Sequence, residues 1–456
     1  MSKTSEATAL KRLDDLSRTS RSAQLRRRSA VVELATSVVL PGLPTLRRSP
    51  FVGAGLLIVG VVLPIILVAR TYTGRDDLIG LALDPTFLMV VAGVGLAAVI
   101  ARLLAVAEIA NAFRDSRGVG GQTAVATVVV LALSVPVLLV AYRANEARQA
   151  VANVFATGDG DPLFVPAAGG GGVAPESVKT ILLLGGDAGP GRWGLRTDTM
   201  ILVTVHEASG RSSLVSIPRN LTRLEFPPGS PLAVAFPDGF NDLANAVFPY
   251  VSTHPDLVEH YGAGGLQAEG VALSEAIGYS LDVEIDDFAL VNMQGFTEVI
   301  DAVGGVTLEL SGSVPLPPSL PGERPLPPSI GPGLVDMDGA MAIAYARSRS
   351  ADSDYQRMGR QRQLLAALGS QVSASEALGG FGKVTGVLDD SMRTSLSSNE
   401  FSALLDRLGD NAGIIESVGL IPPLIEPGSP DYTTIRQIID AVQGATVTGT
   451  PSGYAN

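Results

Sequence analysis

The sequence predicts an α/β protein: a mixed β-sheet flanked by helices, preceded by three transmembrane helices. Three observations predict it. Long, strongly apolar uncharged runs are concentrated in the first third of the 456 residues. Beyond Val178, short apolar strand-like runs interleave with segments of helical period, the pattern of a sheet covered by helices. Arginines and aspartates gather in two distant stretches beside those runs, GGDAGPGRWGLRTDTMILVTV through SIPRN (185–220) and AYARSRSADSDYQRMGRQRQ (344–363).

The mean hydropathy of +0.31 is high for a soluble chain. The excess lies in Phe51–Ala69, Pro85–Ala101 and Gly118–Tyr142, uncharged over 19, 17 and 25 residues. Each is near the length that crosses a bilayer's hydrocarbon core, so the membrane region is placed at 51–142, with helices over 51–69, 85–106 and 119–142. Arg102 must then snorkel from the end of the second. Residues 1–50 carry 10 Lys+Arg against 4 Asp+Glu, and the second loop holds Arg114 and Arg117. The positive-inside rule makes that basic segment cytoplasmic, and three crossings put everything after Arg143 outside. The first apolar run begins too late for a cleaved signal peptide. The basic N-terminus reads as a membrane flank rather than a nucleic-acid arm. Residues 51–456 are net −18, which argues against nucleic acid as a partner of the outer domain. The absence of cysteine excludes disulfides and thiolate metal sites.

Residues 143–177 open as a polar stub and pass into GDGDPLFVPAAGGGGVAPES, read as a flexible linker. Strands are expected over 179–185 and, as two joined by a turn at Ala208–Gly210, over 200–217. A helix over 266–278, a strand over 286–293 and a helix over 294–303 follow. Gly304 and Gly305 end that helix ahead of the strand VTLEL (306–310). The proline-dense stretch 313–333 suits neither helix nor central strand and reads as an extended surface insertion. Helices over 337–346 and 356–370 bracket the second Arg/Asp stretch, and further helices are expected over 399–408 and 434–442. The folded domain is therefore set at 178–443, with 444–456 a tail.

Several motifs fail on context. GPGRWG (189–194) matches the dinucleotide fingerprint, but a strand follows it rather than the helix N-terminus the fingerprint needs. GGFGKV (379–384) lacks the spacing and hydroxyl of a P-loop, and no G-x-S-x-G or H-E-x-x-H occurs. His206, His254 and His260 lack ligand spacing. What remains is the Arg/Asp set. Planar guanidinium forks suit phosphate oxygens, and carboxylates at a phosphate site need a divalent cation between them. That chemistry is phosphoryl transfer on a pyrophosphate.

The motifs ILLLGGD (181–187), RTDTMILVTV (196–205), SIPRN (216–220), FNDLANAVF (240–248), IDDFALVNMQGFTEVIDAVGGV (285–306) and MDGAMAIAYARSRSADSDYQRMGRQRQ (337–363) occur in order. Together they resemble the LytR-CpsA-Psr family of bacterial cell-wall ligases. The resemblance covers 178–372 strongly and 373–443 weakly. It implies a mixed sheet flanked by helices, with an apolar tunnel for a lipid tail opening on an arginine-rich cleft. It also implies a bacterial plasma-membrane protein that moves a glycan phosphate from a polyprenyl-pyrophosphate carrier to peptidoglycan, using Mg²⁺ or Mn²⁺. On that resemblance Asp187 and Asp198 match the metal carboxylates. Arg219 is a catalytic phosphate clamp, and Arg196 contacts phosphate or orients Asp198. Arg347 and Arg349 are the paired pyrophosphate arginines. Asp354, Arg357 and Gln361 supply a metal-side or base carboxylate, a further clamp and a polar orienter, with Asp352 the rival of Asp354. Asn220 stands where the family usually has Asp. Residues 285–306 are core or tunnel wall. A lipid pyrophosphatase would use the same residues, and a membrane-anchored wall sensor is the reading from another class.

Overall fold

The computed structural model describes residues 24–25, 28–73, 78–114, 119–155, 161–166, 178–186, 196–262, 266–318, 324–348, 353–371, 391–409 and 413–456. They form two compact units, Met1–Leu81 with Pro85–Arg148 and Ala82–Asp84 with Gln149–Asn456. Asp187, Arg349 and Asp352 lie outside the described residues, as do both glycine-rich decoys.

Among the described residues three helices are long and apolar enough to cross a membrane: Pro50–Thr73, Pro85–Ala112 and Gly120–Val154, the last running on past the end of the first unit. All three run past the spans read from charge alone. A polar or charged residue does not end a helix whose backbone bonds continue, so the third helix carries on through the polar stub after Tyr142. The basic segment 1–50 is also more than a flank. Residues 28–39 are helical and set Ala30, Leu34 and Val38, four apart on one face, against Val106, Ile109, Ala126 and Val130. The first membrane helix contains a π-helical turn at Ile58–Val62. It lies where Gly60 passes Pro41, so closely that a Cβ would stand 2.3 Å from that ring.

The second unit is built on six strands: β1 (Val178–Gly186), β2 (Thr197–His206), β3 (Ser212–Ser216), β4 (Asp287–Asn292), β9 (Met392–Thr394) and β10 (Ile414–Gly419). Their order is β10-β3-β2-β1-β4-β9. β1 pairs antiparallel with β2 and parallel with β4, β10 runs parallel to β3, and the sheet is mixed. Alternation along the strands divides its two faces. Leu182, Leu184, Met200, Leu202, Phe288 and Leu290 point into the main core. There they meet α1 (Ala268–Leu281) and, from the chain's end, the helix Tyr432–Thr448. Gly270 lets α1 lie close on the sheet, since a Cβ there would be 2.7 Å from the Phe288 ring. Leu183, Ile201, Ala289 and Val291 face the other way, toward α2 (Met293–Ala302), α3 (Gly339–Arg347) and α4 (Asp354–Gln371).

VTLEL does not join this sheet. As β5 (Val306–Leu310) it pairs antiparallel with β8 (Gly333–Met337), and β6 (Val314–Pro315) pairs with β7 (Ser329–Ile330). The proline-dense stretch is thus not wholly a surface insertion. Leu316, next to the first of these short strands, and Ile330 in the second are buried in a second core with Ile300, Met337, Tyr345 and Leu364. Residues 143–177 are not one flexible linker either. The third membrane helix occupies them to Val154, and Phe164 exchanges two backbone hydrogen bonds of 3.0 Å with Ile285. The Phe164 ring lies on Gly278, where a Cβ would clash at 2.4 Å, and meets Tyr279 edge-on. The last helix runs to Thr448, beyond the expected 442, and the residues after it are docked. The Asn456 carboxamide accepts from Gly419 N at 2.7 Å and donates to Gly419 O at 3.1 Å.

Candidate functional site

The site forms where β2 begins, the chain leaves β3, and α4 begins. Arg219 lies just beyond β3, after Ile217 and Pro218. Its Nη1 donates to Asp198 Oδ1 at 2.8 Å and its Nε to Asp354 Oδ2 at 3.1 Å. Asp354 is the first residue of α4, 135 positions away, so one guanidinium joins the two stretches that stand apart in the sequence. Arg357, one helical turn on, sets Nη2 3.0 Å from Asp354 Oδ1 and 3.2 Å from the Asp198 carbonyl oxygen. Arg219, Asp198 and Asp354 are each about a quarter to a third exposed, while the Arg357 side chain is 4% exposed. Partial burial works against the Arg219 charge, but the carboxylates of Asp198 and Asp354 outweigh it and raise its pKa. It stays a cation at any relevant pH. Its two bonds occupy two of five N–H donors, which leaves Nη2 for an incoming oxygen among the described residues.

Beside this cluster a cavity of about 440 Å³ separates the sheet from α2, α3 and α4. Leu183, Ile201, Ala289, Val291, Phe296 and Leu365 make its walls apolar, while Asp198, Arg347, Arg357 and Gln361 give it a charged side. This is an apolar space of the size that takes small ligands, with polar groups collected at one place. It divides the 285–306 stretch. Ile285, Phe288 and Leu290 are core, and Ala289, Val291, Asn292, Met293 and Phe296 line the cavity. Gly185 also lines it, at a point where β1 approaches β2 so closely that a Cβ would stand 2.8 Å from Thr199 Cβ.

The structure thus brings Asp198, Arg219, Arg347, Asp354, Arg357 and Gln361 to one place. Arg196 is exposed just before β2 and is not among the described residues that line the cavity. Two participants were not assigned from the sequence. Asn245, in the FNDLANAVF motif, donates from Nδ2 to Asp198 Oδ1 at 3.3 Å. Arg360, 7% exposed, donates to the Ser348 carbonyl and so fixes the chain just after Arg347. Three arginines in RMGRQR look alike in sequence. Arg362 in fact points away, to Ser417 and Asn456, where burial lowers its pKa to about 10.

The donors that Asp198, Asp354 and Asn245 offer are all oxygen, which suits a hard divalent cation. Among the described residues no three His, Asp or Glu side chains gather to hold a metal unaided. Two carboxylates completed by substrate phosphates are the usual arrangement for Mg²⁺, and the residues present fit it.

The sequence is similar to those of several named proteins. Biofilm regulatory protein A of Streptococcus mutans is 26% identical over 281 residues, 59% of this chain and 63% of that protein. The polyisoprenyl-teichoic acid–peptidoglycan teichoic acid transferase TagU of Oceanobacillus iheyensis is 28% identical over 232 residues, 50% of this chain and 62% of that one. The TagU of Bacillus subtilis is 27% identical over 221 residues, 48% of this chain and 60% of that one. The chain therefore spans somewhat under two thirds of these relatives' length. Among solved structures, B. subtilis TagV is 21% identical with a TM-score of 0.43, over 60% of this chain and 98% of that one. The family model LytR_cpsA_psr matches residues 172–420, more than half of the sequence, and the chain belongs to the LytR-CpsA-Psr family.

Proposed function

We propose that this chain is a membrane-anchored glycopolymer transferase. It moves a glycan phosphate from a polyprenyl-pyrophosphate carrier onto a peptidoglycan hydroxyl at the outer face of a bacterial plasma membrane. One observation carries the reading: a guanidinium held between carboxylates from two distant segments, at the charged side of an apolar cavity. The cavity suits a prenyl tail and the cluster suits its pyrophosphate. The named activity of the TagU relatives supports the same class of reaction. The basic residues before the first apolar helix support a cytoplasmic N-terminus and an outer second unit.

In this mechanism the acceptor hydroxyl oxygen bonds to the glycan-side phosphorus as that phosphorus parts from the bridging oxygen. The bridging oxygen leaves on polyprenyl phosphate, and the hydroxyl proton passes to a carboxylate, for which Asp354 is the candidate. Arg219 Nη2 and the guanidiniums of Arg347 and Arg357 take up charge on the two phosphates, with Arg349 assigned to the same task by its motif. Gln361 orients a phosphate oxygen. Mg²⁺ held by Asp198, with Asp187 as the other candidate ligand, and Asp354 a third only where it does not serve as the base, would supply charge neutralisation for the leaving phosphate. The protein's share is positioning and electrostatics, as in other phosphoryl transfers.

The test is a transfer assay on the full chain in detergent, with a lipid-pyrophosphate-linked glycan and Mg²⁺, with and without peptidoglycan, beside Arg219→Ala. Wall-linked product that disappears in the variant is the expected result. Glycan phosphate released equally without acceptor would make the protein a pyrophosphatase. Binding without turnover would leave it a sensor.

A further inference from the structure

We infer that Asn245 is itself a ligand of the cation site: its carboxamide oxygen binds the divalent cation that Asp198 holds, while its nitrogen locks that carboxylate. The inference rests on the proposed reading of Asp198 and goes beyond it to a residue that the Arg/Asp motifs do not include.

The first ground is orientation. Asn245 Nδ2 meets Asp198 Oδ1 at 3.3 Å. A carboxylate only accepts, so it is the amide nitrogen that meets Asp198 Oδ1, and the carboxamide oxygen is left for another partner. That oxygen, on a residue 1% exposed, has no hydrogen-bond partner among the described residues. A buried acceptor left unmet is costly and calls for an explanation.

The second ground is placement. Asn245 sits in the short 3-10 turn Ala244–Ala246, and its backbone N donates to the Arg219 carbonyl at 3.3 Å. Ala244 N donates to Leu221 O at 2.8 Å. The turn is thereby pinned to the segment that carries Arg219, so Asn245 moves with the clamp. Its neighbours Ala244, Ala246 and Val247 are buried in the main core and offer the orphan oxygen nothing. A structural asparagine would have spent both ends of its amide on the fold, and this one spends only its nitrogen.

The third ground is the local charge, which a neutral oxygen suits. Asp198 and Asp354 already face Arg219 and Arg357, and a carboxamide adds a ligand without adding to the repulsion that an incoming pyrophosphate meets.

The experiment measures Mn²⁺ alone against the full chain in detergent micelles, by the loss of the free-ion paramagnetic resonance signal, with the melting temperature recorded with and without Mn²⁺. Asn245→Ala should weaken Mn²⁺ binding by roughly 10- to 100-fold, the range seen when groups supporting a metal site are removed. Its melting temperature without metal should change less than its Mn²⁺-induced rise. Asn245→Asp, which restores an oxygen and adds a charge, should bind as well as wild type or better, and it decides the matter if the alanine variant does not fold. Wild-type affinity in Asn245→Ala, with binding lost in Asp198→Asn, would overturn the role of Asn245 and leave the cation reading intact. Equal binding by wild type and Asp198→Asn would overturn both. A melting temperature lowered equally with and without Mn²⁺ in Asn245→Ala, at unchanged affinity, would make the residue structural.

Discussion

Arg219 does at one residue what the two Arg/Asp stretches do only together. Its planar fork reaches Asp198 through Nη1 and Asp354 through Nε, a geometry that a point-charge ammonium cannot copy. Arg219→Lys should therefore retain the charge and still lose on the order of 10² in transfer rate. Arg219→Ala should lose roughly 10²–10³, the cost of removing one preorganised donor in a charge-stabilising site. A lysine variant within a few-fold of wild type in steady-state transfer would show that charge alone suffices. Guanidinium and carboxylate made the Arg/Asp stretches stand out in the sequence, and the resemblance to the family's motifs singled out Asp198, Arg219, Arg347, Asp354, Arg357 and Gln361 within them. Asn245 was left unassigned because an asparagine outside those stretches has no such chemical signature. Only its 3.3 Å approach to Asp198 marks it out.

At the scale of elements, the cavity is made by which strand faces are left uncovered. Ala289 on β4 is small, and its neighbours Phe288 and Leu290 fill the opposite core. Ala289→Phe should occupy the cavity without disturbing that core. Turnover of a long polyprenyl donor should fall about 10-fold or more, with overpacking costing at most about 1–3 kcal/mol of stability. A donor with a two-prenyl tail should be used as by wild type, and competition between the two donors in one assay reads the difference directly. The other end of β4 carries a pH dependence. Burial raises the Asp286 carboxyl to about 6 from an ordinary 3.8, although Thr180 N donates to it at 2.7 Å. The folded state thus holds a proton that the unfolded chain has already lost. The stabilisation is complete below about pH 4 and is lost as pH rises through about 6. At about 1.4 kcal/mol per unit it is on the order of 3 kcal/mol at most. Asp286→Asn can still accept from Thr180, so thermal melts between pH 4 and 7 should show a shallower decline than wild type.

At the scale of the whole molecule, the proposed reaction requires the second unit to lie outside. The chain has no cysteine, so a single introduced thiol reports on a clean background. Ala208→Cys, in the exposed turn between β2 and β3, should react with a membrane-impermeant maleimide in intact cells. Ser5→Cys should react only after the membrane is opened. The reverse pattern would refute the orientation and the acceptor assignment with it.

The sequence by itself determined the three long apolar helices, the alternation of strands and helices beyond Val178, and the residue types of the Arg/Asp cluster. Each of these is a local property, set by run length, period or functional group. The tertiary structure decided what depends on distant partners. VTLEL is as strand-like as β1, yet it pairs with Gly333–Met337 in a separate ribbon, because pairing is chosen by the surface each strand must cover. Met392–Thr394 and Ile414–Gly419 are too short or too polar to announce themselves, and they become strands only at the two edges of the sheet. Residues 161–164, read as linker, are held because Gly278 leaves room for one phenylalanine ring. The cavity itself belongs to no segment. It exists because three strands turn small or branched side chains toward three helices, the last of them held by its buried arginines, and no periodicity in one stretch of chain encodes a space enclosed by six.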